Sequence, residues 1–325
     1  MPFTVVANTM QALVKYHGLK DWNLRIPYHD SISVNTSSLY SEARVSDAGS
    51  GQGGSLWVAG ERNEDALRRI QLVSKRLTGK TFEELGLRID SKNTPGVTGK
   101  GLGFSSSAGS ALTFAIDRAN RRGSKKADLE ELSKVSRLFA ASASRTMVGG
   151  FSRLHAGRGD EDTYSERFAD ERDLPLRTVI VPLPSTIRTE TAHEEVESSP
   201  FFSARIESAT KRCDEVEKAI LGGDLKTLGE LVEQDTMELH GVTMTGRSNL
   251  IVMSGDTIRV ITKVRELRSN NVEAYFSMQT GPSVFINTNE EDEKRVRKAM
   301  STMGYRTLTS TVGREARVKR GNVSA

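Results

Sequence analysis

GKGLGFSSSAGSAL, residues 99–112, sets three glycines ahead of three serines and then runs on into small and apolar residues of helical character. Glycine lets a backbone turn sharply and come close to an anion. The N-terminus of the helix behind it offers free N–H groups and the positive end of a dipole. Ser105, Ser106 and Ser107 add hydroxyl donors, suited to capping that helix or, in one case, to ligating Mg²⁺. The Gly-Lys-Ser/Thr ending of a P-loop is absent. Taken alone, the stretch reads either as a cradle for a triphosphate or as a Gly turn with a Ser cap and no ligand.

Outward from this loop, the chain has the make-up of a folded, water-compatible protein. It has 325 residues, enough for two domains, with 36% hydrophobic and 27% charged side chains. No apolar run nears the roughly 20 residues that cross a bilayer. The start, MPFTVVANTM, lacks a basic segment followed by an apolar core, so no signal peptide is expected. Cys213 is the only cysteine, which excludes an internal disulfide and a multi-cysteine metal site and suits a cytoplasmic chain. The net charge is +4 and the pI about 9.1. A basic balance suits nucleic acid or anionic small molecules. The charges are mostly mixed, as in ERNEDALRRIQLVSKR (61–76), and aromatic content is only 6%. Small anions, and no nucleic acid or membrane, are the expected partners. The purest basic cluster, REARVKR (314–320), reads as a tail.

The order of elements reads as α+β. Strands are expected at 3–8, 31–37, 41–46 and 55–59, with SDAGSGQGGS as a hairpin connection between the last two. Leu67, Ile70, Leu72, Val73 and Leu77 give 63–78 helical spacing, and a strand near 86–91 leads into the glycine loop. Helices follow at 106–121 and 127–142, then strands near 148–155, 163–168 and 177–183. Two long amphipathic helices, 199–221 and 224–240, are separated by GGD, and a third covers 255–269. A strand at 272–279, the turn TGPS, a strand at 283–288, a helix at 290–303 and a strand at 305–312 complete an α+β sandwich. The expected division is 1–186 and 187–325.

Several other stretches carry chemistry. LVKYHG (13–18) and LRIPYHDSISV (24–34) hold Lys15, Tyr16, His17, Arg25, Tyr28, His29, Asp30 and Ser31 in under 20 residues. Lys15 and Arg25 suit phosphate or carboxylate, while each histidine reads equally as a hydrogen-bonded core residue. The five histidines show no metal-ligand spacing. SASRTMVGG (142–150) sets Arg145 at the end of a helical pattern, either as a buried carboxylate ligand or as a surface residue. STIRTE (185–190) puts Arg188 at the expected domain junction, where clefts form. YFSMQTGPSVFI (275–286) places Gln279 just before a Gly-Pro turn.

Together, and in order along nearly the whole chain, these stretches resemble the GHMP kinase superfamily and, within it, the mevalonate-pathway decarboxylases. KYHG with RIPYHDSISV is more similar to the archaeal-type phosphomevalonate decarboxylases than to diphosphomevalonate decarboxylases, which typically carry KYWGK. The resemblance implies a two-domain GHMP kinase fold, with an N-terminal domain like domain 2 of ribosomal protein S5 and a ferredoxin-like C-terminal domain. It implies ATP and Mg²⁺ at Gly101, Gly103, Ser105, Ser106, Ser107 and Ala108, with Ser106 the candidate Mg²⁺ ligand. It implies 3-phosphorylation of mevalonate 5-phosphate, then loss of that phosphate with CO₂ to give isopentenyl phosphate. Lys15, Arg145 and position 279 match catalytic positions; Tyr16, His17, Ser31, Ser144 and Arg188 match substrate-binding ones, Arg188 at the 5-phosphate end. Family members are often homodimers, so a homodimer is expected, although no stretch identifies an interface.

Two departures stand out. Gln279 occupies the place of the family's catalytic aspartate, and Gln cannot act as a general base near neutral pH. It reads as an Asp→Gln change that traps ligands, as a natural specialisation, or as a slip of register; no Asp or Glu lies between Glu273 and Glu290. On the first reading an aspartate at 279 would turn over faster. The lysine that usually follows KYWG is also displaced, since Leu19 precedes Lys20, and this favours a monophosphate substrate. Diphosphomevalonate decarboxylase, mevalonate 3,5-bisphosphate decarboxylase, a 3-kinase and a silent ligand-binding homologue remain the alternatives.

Overall fold

The computed structural model describes residues 2–49, 53–121, 126–187 and 189–319. Its strands are Phe3–Val14 (β1), Leu19–Asp21 (β2), Ile26–Pro27 (β3), Ser31–Asp47 (β4), Ser55–Val58 (β5), Glu61–Arg62 (β6), Leu87–Asn93 (β7), Phe151–Leu154 (β8), Ser165–Ala169 (β9), Arg177–Val181 (β10), Ala274–Met278 (β11), Val284–Thr288 (β12), Leu308–Ser310 (β13) and Arg317–Val318 (β14). Its helices are Glu64–Thr78 (α1), Phe104–Asn120 (α2), Leu129–Arg137 (α3), Ala143–Val148 (α4), Thr189–Glu195 (α5), Phe202–Leu221 (α6), Leu225–Met244 (α7), Gly255–Ser269 (α8) and Glu293–Thr302 (α9). Among the described residues, no helix is long and apolar enough to cross a membrane.

β1 and β4 form the spine of an eight-stranded sheet ordered β14-β1-β4-β7-β5-β6, with β8 and β9 joined beside β4. One face of this sheet packs on α1 to α4 through residues such as Val5, Ile89, Leu112 and Met147. The other face packs on α6 and α7 through Leu13, Ile32, Cys213 and Val232. β1 is thus covered on both sides, and its polar residues need internal partners. Gln11 Nε2 donates to Ser277 Oγ at 2.7 Å and Asn287 Oδ1 at 2.9 Å, tying β1 to β11 and β12.

The second sheet is antiparallel, ordered β11-β12-β10-β13. Its chain order, one strand, a helical excursion, two strands, α9 and a last strand, is the ferredoxin-like arrangement. α8 and α9 cover one face through Val260, Val264, Val296 and Met300. The chain passes from the first sheet to the second between Ala169 and Arg177, and returns with β14.

Four local expectations change. Residues 41–46 continue β4 instead of forming a new strand. β4 and β5 are not a hairpin: β7 lies between them, and β5 runs parallel to β7. Residues 50–52 of the connecting stretch lie outside the described residues. The expected helix 127–142 ends early, at Arg137, and a separate helix, α4, begins just past its expected end; Leu138 to Ala141 are buried in the break as well, so apolar spacing runs on without marking it. REARVKR is not a tail up to its last described residue: Arg317 and Val318 pair with Val6 and Val5.

Candidate active site

A cleft of about 780 Å³ opens where the glycine loop meets the end of β1 and the β11–β12 turn. Gly101 and Gly103 have φ of 80° and 82°, the left-handed region that favours glycine. A Cβ on Gly101 would sit 2.9 Å from Gly281 Cα, and one on Gly103 would sit 2.9 Å from Met10 O. Both glycines are therefore demanded by backbone packing. Gly103 caps the 17-residue α2 with no side-chain hydrogen bond, so the serines lie inside the first turn instead of capping it. A helix start with no side-chain cap, behind a glycine-rich loop, fits an anionic phosphate.

The three serines part company. Ser105 is exposed at the cleft, and Ser106 Oγ lies there 2.5 Å from Ser142 Oγ. Ala108 also lines the cleft. Ser107 turns inward, its hydroxyl 2.7 Å from Ser41 Oγ and 3.2 Å from Phe104 O, where it pins α2 to β4. Ser105 and Ser106 are thus the two hydroxyls at the cleft that could face a cation. Among the described residues no cluster of three or more His, Cys, Asp or Glu could hold a metal. The donor set fits Mg²⁺ carried mainly by phosphate oxygens and water.

The opposite wall is built by Lys15 and Tyr16, just beyond β1. The main chain of Lys15 is clamped from the C-terminal half. Its N–H donates to Asp235 Oδ2 at 3.0 Å, its carbonyl accepts from Arg205 Nη2 at 3.0 Å, and Arg205 also donates to Asp235 Oδ1 at 2.7 Å. Burial, and then the neighbouring charge of Arg145, lower the Lys15 ammonium to about 7. Lys15 Nζ and the Arg145 guanidinium lie 5.1 and 5.3 Å from the Tyr16 ring centroid. Burial raises the phenol of Tyr16 above its ordinary value.

Arg145 is fully buried behind Tyr16 and not on the cleft wall. It donates through Nη1 to Ser31, while Nε and Nη2 have no partner among the described residues. Burial lowers its guanidinium to about 10. Ser31 holds this pair in place: its hydroxyl donates to Val14 O at 2.5 Å and accepts from the Tyr16 amide at 3.3 Å. His17 is buried beneath the cleft, its ring nitrogens without a hydrogen-bond partner among the described residues and its pKa driven well down by burial. Ser144 faces away, donating to Ala141 O and accepting from Ser165 Oγ, both at 2.8 Å. Arg188 lies outside the described residues.

Gln279 reaches the cleft but commits its amide: Nε2 donates to Met10 O at 2.9 Å and Gly101 O at 3.0 Å. The carboxamide suits these two carbonyls, and a carboxylate does not. Leu19, directly after Gly18, packs with Tyr16, Ala141 and Leu154. Lys20 turns away and donates to Gly157 O at 2.6 Å.

Sequence reading missed three contributors. His193 reaches the cleft from α5, and a lone histidine in TAHEE carries no pattern. Asp235 and Arg205 were legible. Asp235 falls on the apolar stripe Leu228–Val232–Leu239 of α7, and Arg205 on the stripe Ala209–Val216 of α6. Opposite charges on two facing apolar stripes announce a buried ion pair.

Residues 7–165 match the family model of the diphosphomevalonate decarboxylase-like N-terminal domain. Residues 184–321 match that of the mevalonate 5-diphosphate decarboxylase C-terminal domain. The chain is 36% identical to the phosphomevalonate decarboxylase of Haloferax volcanii over 98% of both chains. It shares its fold with the mevalonate diphosphate decarboxylase of Staphylococcus aureus, at a TM-score of 0.86 and 23% identity over 98% of both chains. A further solved chain, at a TM-score of 0.85 and 19% identity over 99% of both, is a complex with MVAPP, AMPPCP and magnesium. With both halves matched and one relative similar from end to end, the chain belongs to the diphosphomevalonate decarboxylase-like family, and its two sheets make the GHMP-kinase fold of that family.

Proposed function

We propose that this chain uses ATP to phosphorylate the tertiary 3-hydroxyl of mevalonate 5-phosphate, and that loss of phosphate and CO₂ then gives isopentenyl phosphate. The observation that carries the monophosphate is Leu19. Where the family has a cation for a second phosphate, this chain packs an apolar side chain, and Lys20 is spent on a backbone carbonyl outside the cleft. The likeness to the Haloferax enzyme supports the same reading.

Gly101, Gly103, Ser105 and Ser106 would hold the nucleotide phosphates, with Ser106 at the Mg²⁺. Bound ATP and Mg²⁺ supply the phosphoryl group and neutralise its charge. Phosphoryl transfer of this kind depends on position and charge more than on covalent help. Gln279 takes no proton, because a carboxamide is not a base near neutral pH; its amide hydrogens instead hold Met10 and Gly101 in place. That fixes the glycine loop against the end of β1. Lys15, lowered to about 7, is divided near neutrality between a form that accepts the hydroxyl proton and an ammonium that faces the substrate's anionic groups. As phosphate leaves, positive charge grows at C3; the C–C bond to the carboxylate breaks, its electron pair forms the alkene, and CO₂ departs. Arg145 holds the Tyr16 wall from behind, and Ser31 fixes both.

The test is incubation with ATP·Mg²⁺ and either mevalonate 5-phosphate or its 5-diphosphate, with ADP, CO₂ and alkene measured together. Equal yields of all three from the monophosphate are expected. A higher kcat/KM on the diphosphate would overturn the monophosphate assignment, and ADP without CO₂ would make the chain a 3-kinase.

A further inference from the structure

His193 lines the cleft beside Tyr16 and Lys15, and its hydrogen bond fixes its tautomer. The amide of Gly18 can only donate, and it points at His193 Nδ1 from 3.2 Å. Nδ1 is therefore the nitrogen with the lone pair, and the neutral ring carries its proton on Nε2. Burial, reinforced by the charges of Lys15, Arg25 and Arg145, keeps the ring neutral.

The ring is also held in orientation. It stacks on Tyr16 with centroids 5.3 Å apart and planes 12° apart. The ring of His17 meets it edge-on at 5.0 Å. With Nδ1 turned to Gly18, Nε2 is left on the side of the cleft, and it has no hydrogen-bond partner among the described residues. A rigid donor that is open to the cleft and set among cations is placed to give its hydrogen to an anionic ligand. A neutral donor adds direction without adding charge to a wall whose neighbour Leu19 is apolar.

We propose that His193 is a substrate-binding residue whose Nε2–H donates a hydrogen bond to an anionic oxygen of the bound substrate. The proposal rests on the substrate reading above, and that oxygen belongs either to the phosphate or to the carboxylate.

The test is calorimetric binding of mevalonate 5-phosphate, unphosphorylated mevalonate and ATP to the wild type, His193→Gln and His193→Phe. The phenylalanine variant keeps a ring against Tyr16 but removes the donor; the glutamine variant keeps an N–H at a comparable reach. His193→Phe is expected to weaken mevalonate 5-phosphate binding about tenfold or more, in keeping with a bond to a charged acceptor. ATP binding should stay within twofold, and His193→Gln should recover most of the loss. A loss that persists with unphosphorylated mevalonate assigns the oxygen to the carboxylate, and one that disappears assigns it to the phosphate. Equal losses in both variants, or none in His193→Phe, would overturn the proposal.

Imidazole ¹⁵N–¹H correlation on the wild type guards against a variant that misfolds. It should show the Nε2–H tautomer and a downfield move of that proton when mevalonate 5-phosphate is added. The Nδ1–H tautomer, or no movement, would overturn the assignment. Failure of the wild type to bind mevalonate 5-phosphate, with binding of the diphosphate intact, would instead refute the substrate reading.

Discussion

Gln279→Asp shortens the side chain by one methylene and trades a carboxamide for a carboxylate, at a buried position where Nε2 donates to Met10 O at 2.9 Å and Gly101 O at 3.0 Å. A carboxylate has no hydrogen to give. Two carbonyls lose their donor, at about 1 kcal/mol each and more where they stay dry. An anionic oxygen placed against them adds a desolvation cost that the group avoids only by staying protonated. The sum is about 3 kcal/mol at neutral pH, a fall in Tm of roughly 4–5 °C in a chain of 325 residues. The sign of the pH effect follows. The folded-state carboxyl is raised above its unfolded value of about 3.9, so the deficit is smallest below that pH and grows as pH rises. Thermal unfolding at pH 4.5 and 7.5, with ADP release assayed alongside, checks both. Turnover should not rise, and the KM for ATP should, because Gly101 belongs to the glycine loop proposed to hold the nucleotide phosphates. This reverses what the resemblance alone leads one to expect of an aspartate at 279. A variant as stable as the parent that turns over mevalonate 5-phosphate tenfold faster would refute the reasoning.

Other substitutions probe the remaining walls. Lys20→Ala should leave the KM for mevalonate 5-phosphate within twofold, since Nζ is held by Gly157 O outside the cleft; a tenfold rise in steady-state assays would place Lys20 at the substrate. Gly281→Ala sets a Cβ 2.5 Å from Gly101 N. It should displace the phosphate loop, raise the KM for ATP at least tenfold and lower Tm, and unchanged ATP kinetics would show that the contact is dispensable. The lowered pKa of Lys15, about 7 against an unfolded 10.5, means the folded chain binds fewer protons between those values. Stability should therefore rise from pH 7 to 9, and Lys15→Met should flatten that slope in urea midpoints measured across the range.

Much of the fold could be read from local pattern. α8 coincides with its expected span, and the β11–β12 hairpin is set by its TGPS turn. What pattern cannot carry is pairing across distance. Nothing in SDAGSGQGGS says that β7, 30 residues on, will insert between β4 and β5. Nor does REARVKR differ from a solvated tail until β1 offers it an open edge. The site shows the same limit. The glycine loop was legible because φ near 80° and close backbone contact demand glycine whatever lies around them. Ser105, Ser106 and Ser107 were not separable, because neighbouring helix positions point about 100° apart and only the fold decides that Ser107 meets Ser41. His193 depends on Gly18, 175 residues away, for its tautomer, and no local pattern encodes that.

The clamp on Lys15 explains why so charged a site is built from both halves of the chain. Asp235 accepts from the Lys15 amide, Arg205 and Arg212, and so stands as one buried carboxylate between two guanidinium groups. Removing one partner of such a network leaves an uncompensated buried charge, at a cost of about 3–5 kcal/mol, so the position of Lys15 is stiffly defined. Yet the clamp grips only its main chain. Among the described residues no carboxylate forms an ion pair with the ammonium, and Asp235, the anion whose charge it feels, is already engaged by two arginines. A lysine held rigidly by its backbone, buried beside Arg145 and given no counter-ion is poorly stabilised as a cation, which is why it sits near 7. An anionic ligand supplies the missing charge. The same arrangement that destabilises the empty cleft thus favours a carboxylate- and phosphate-bearing substrate in it.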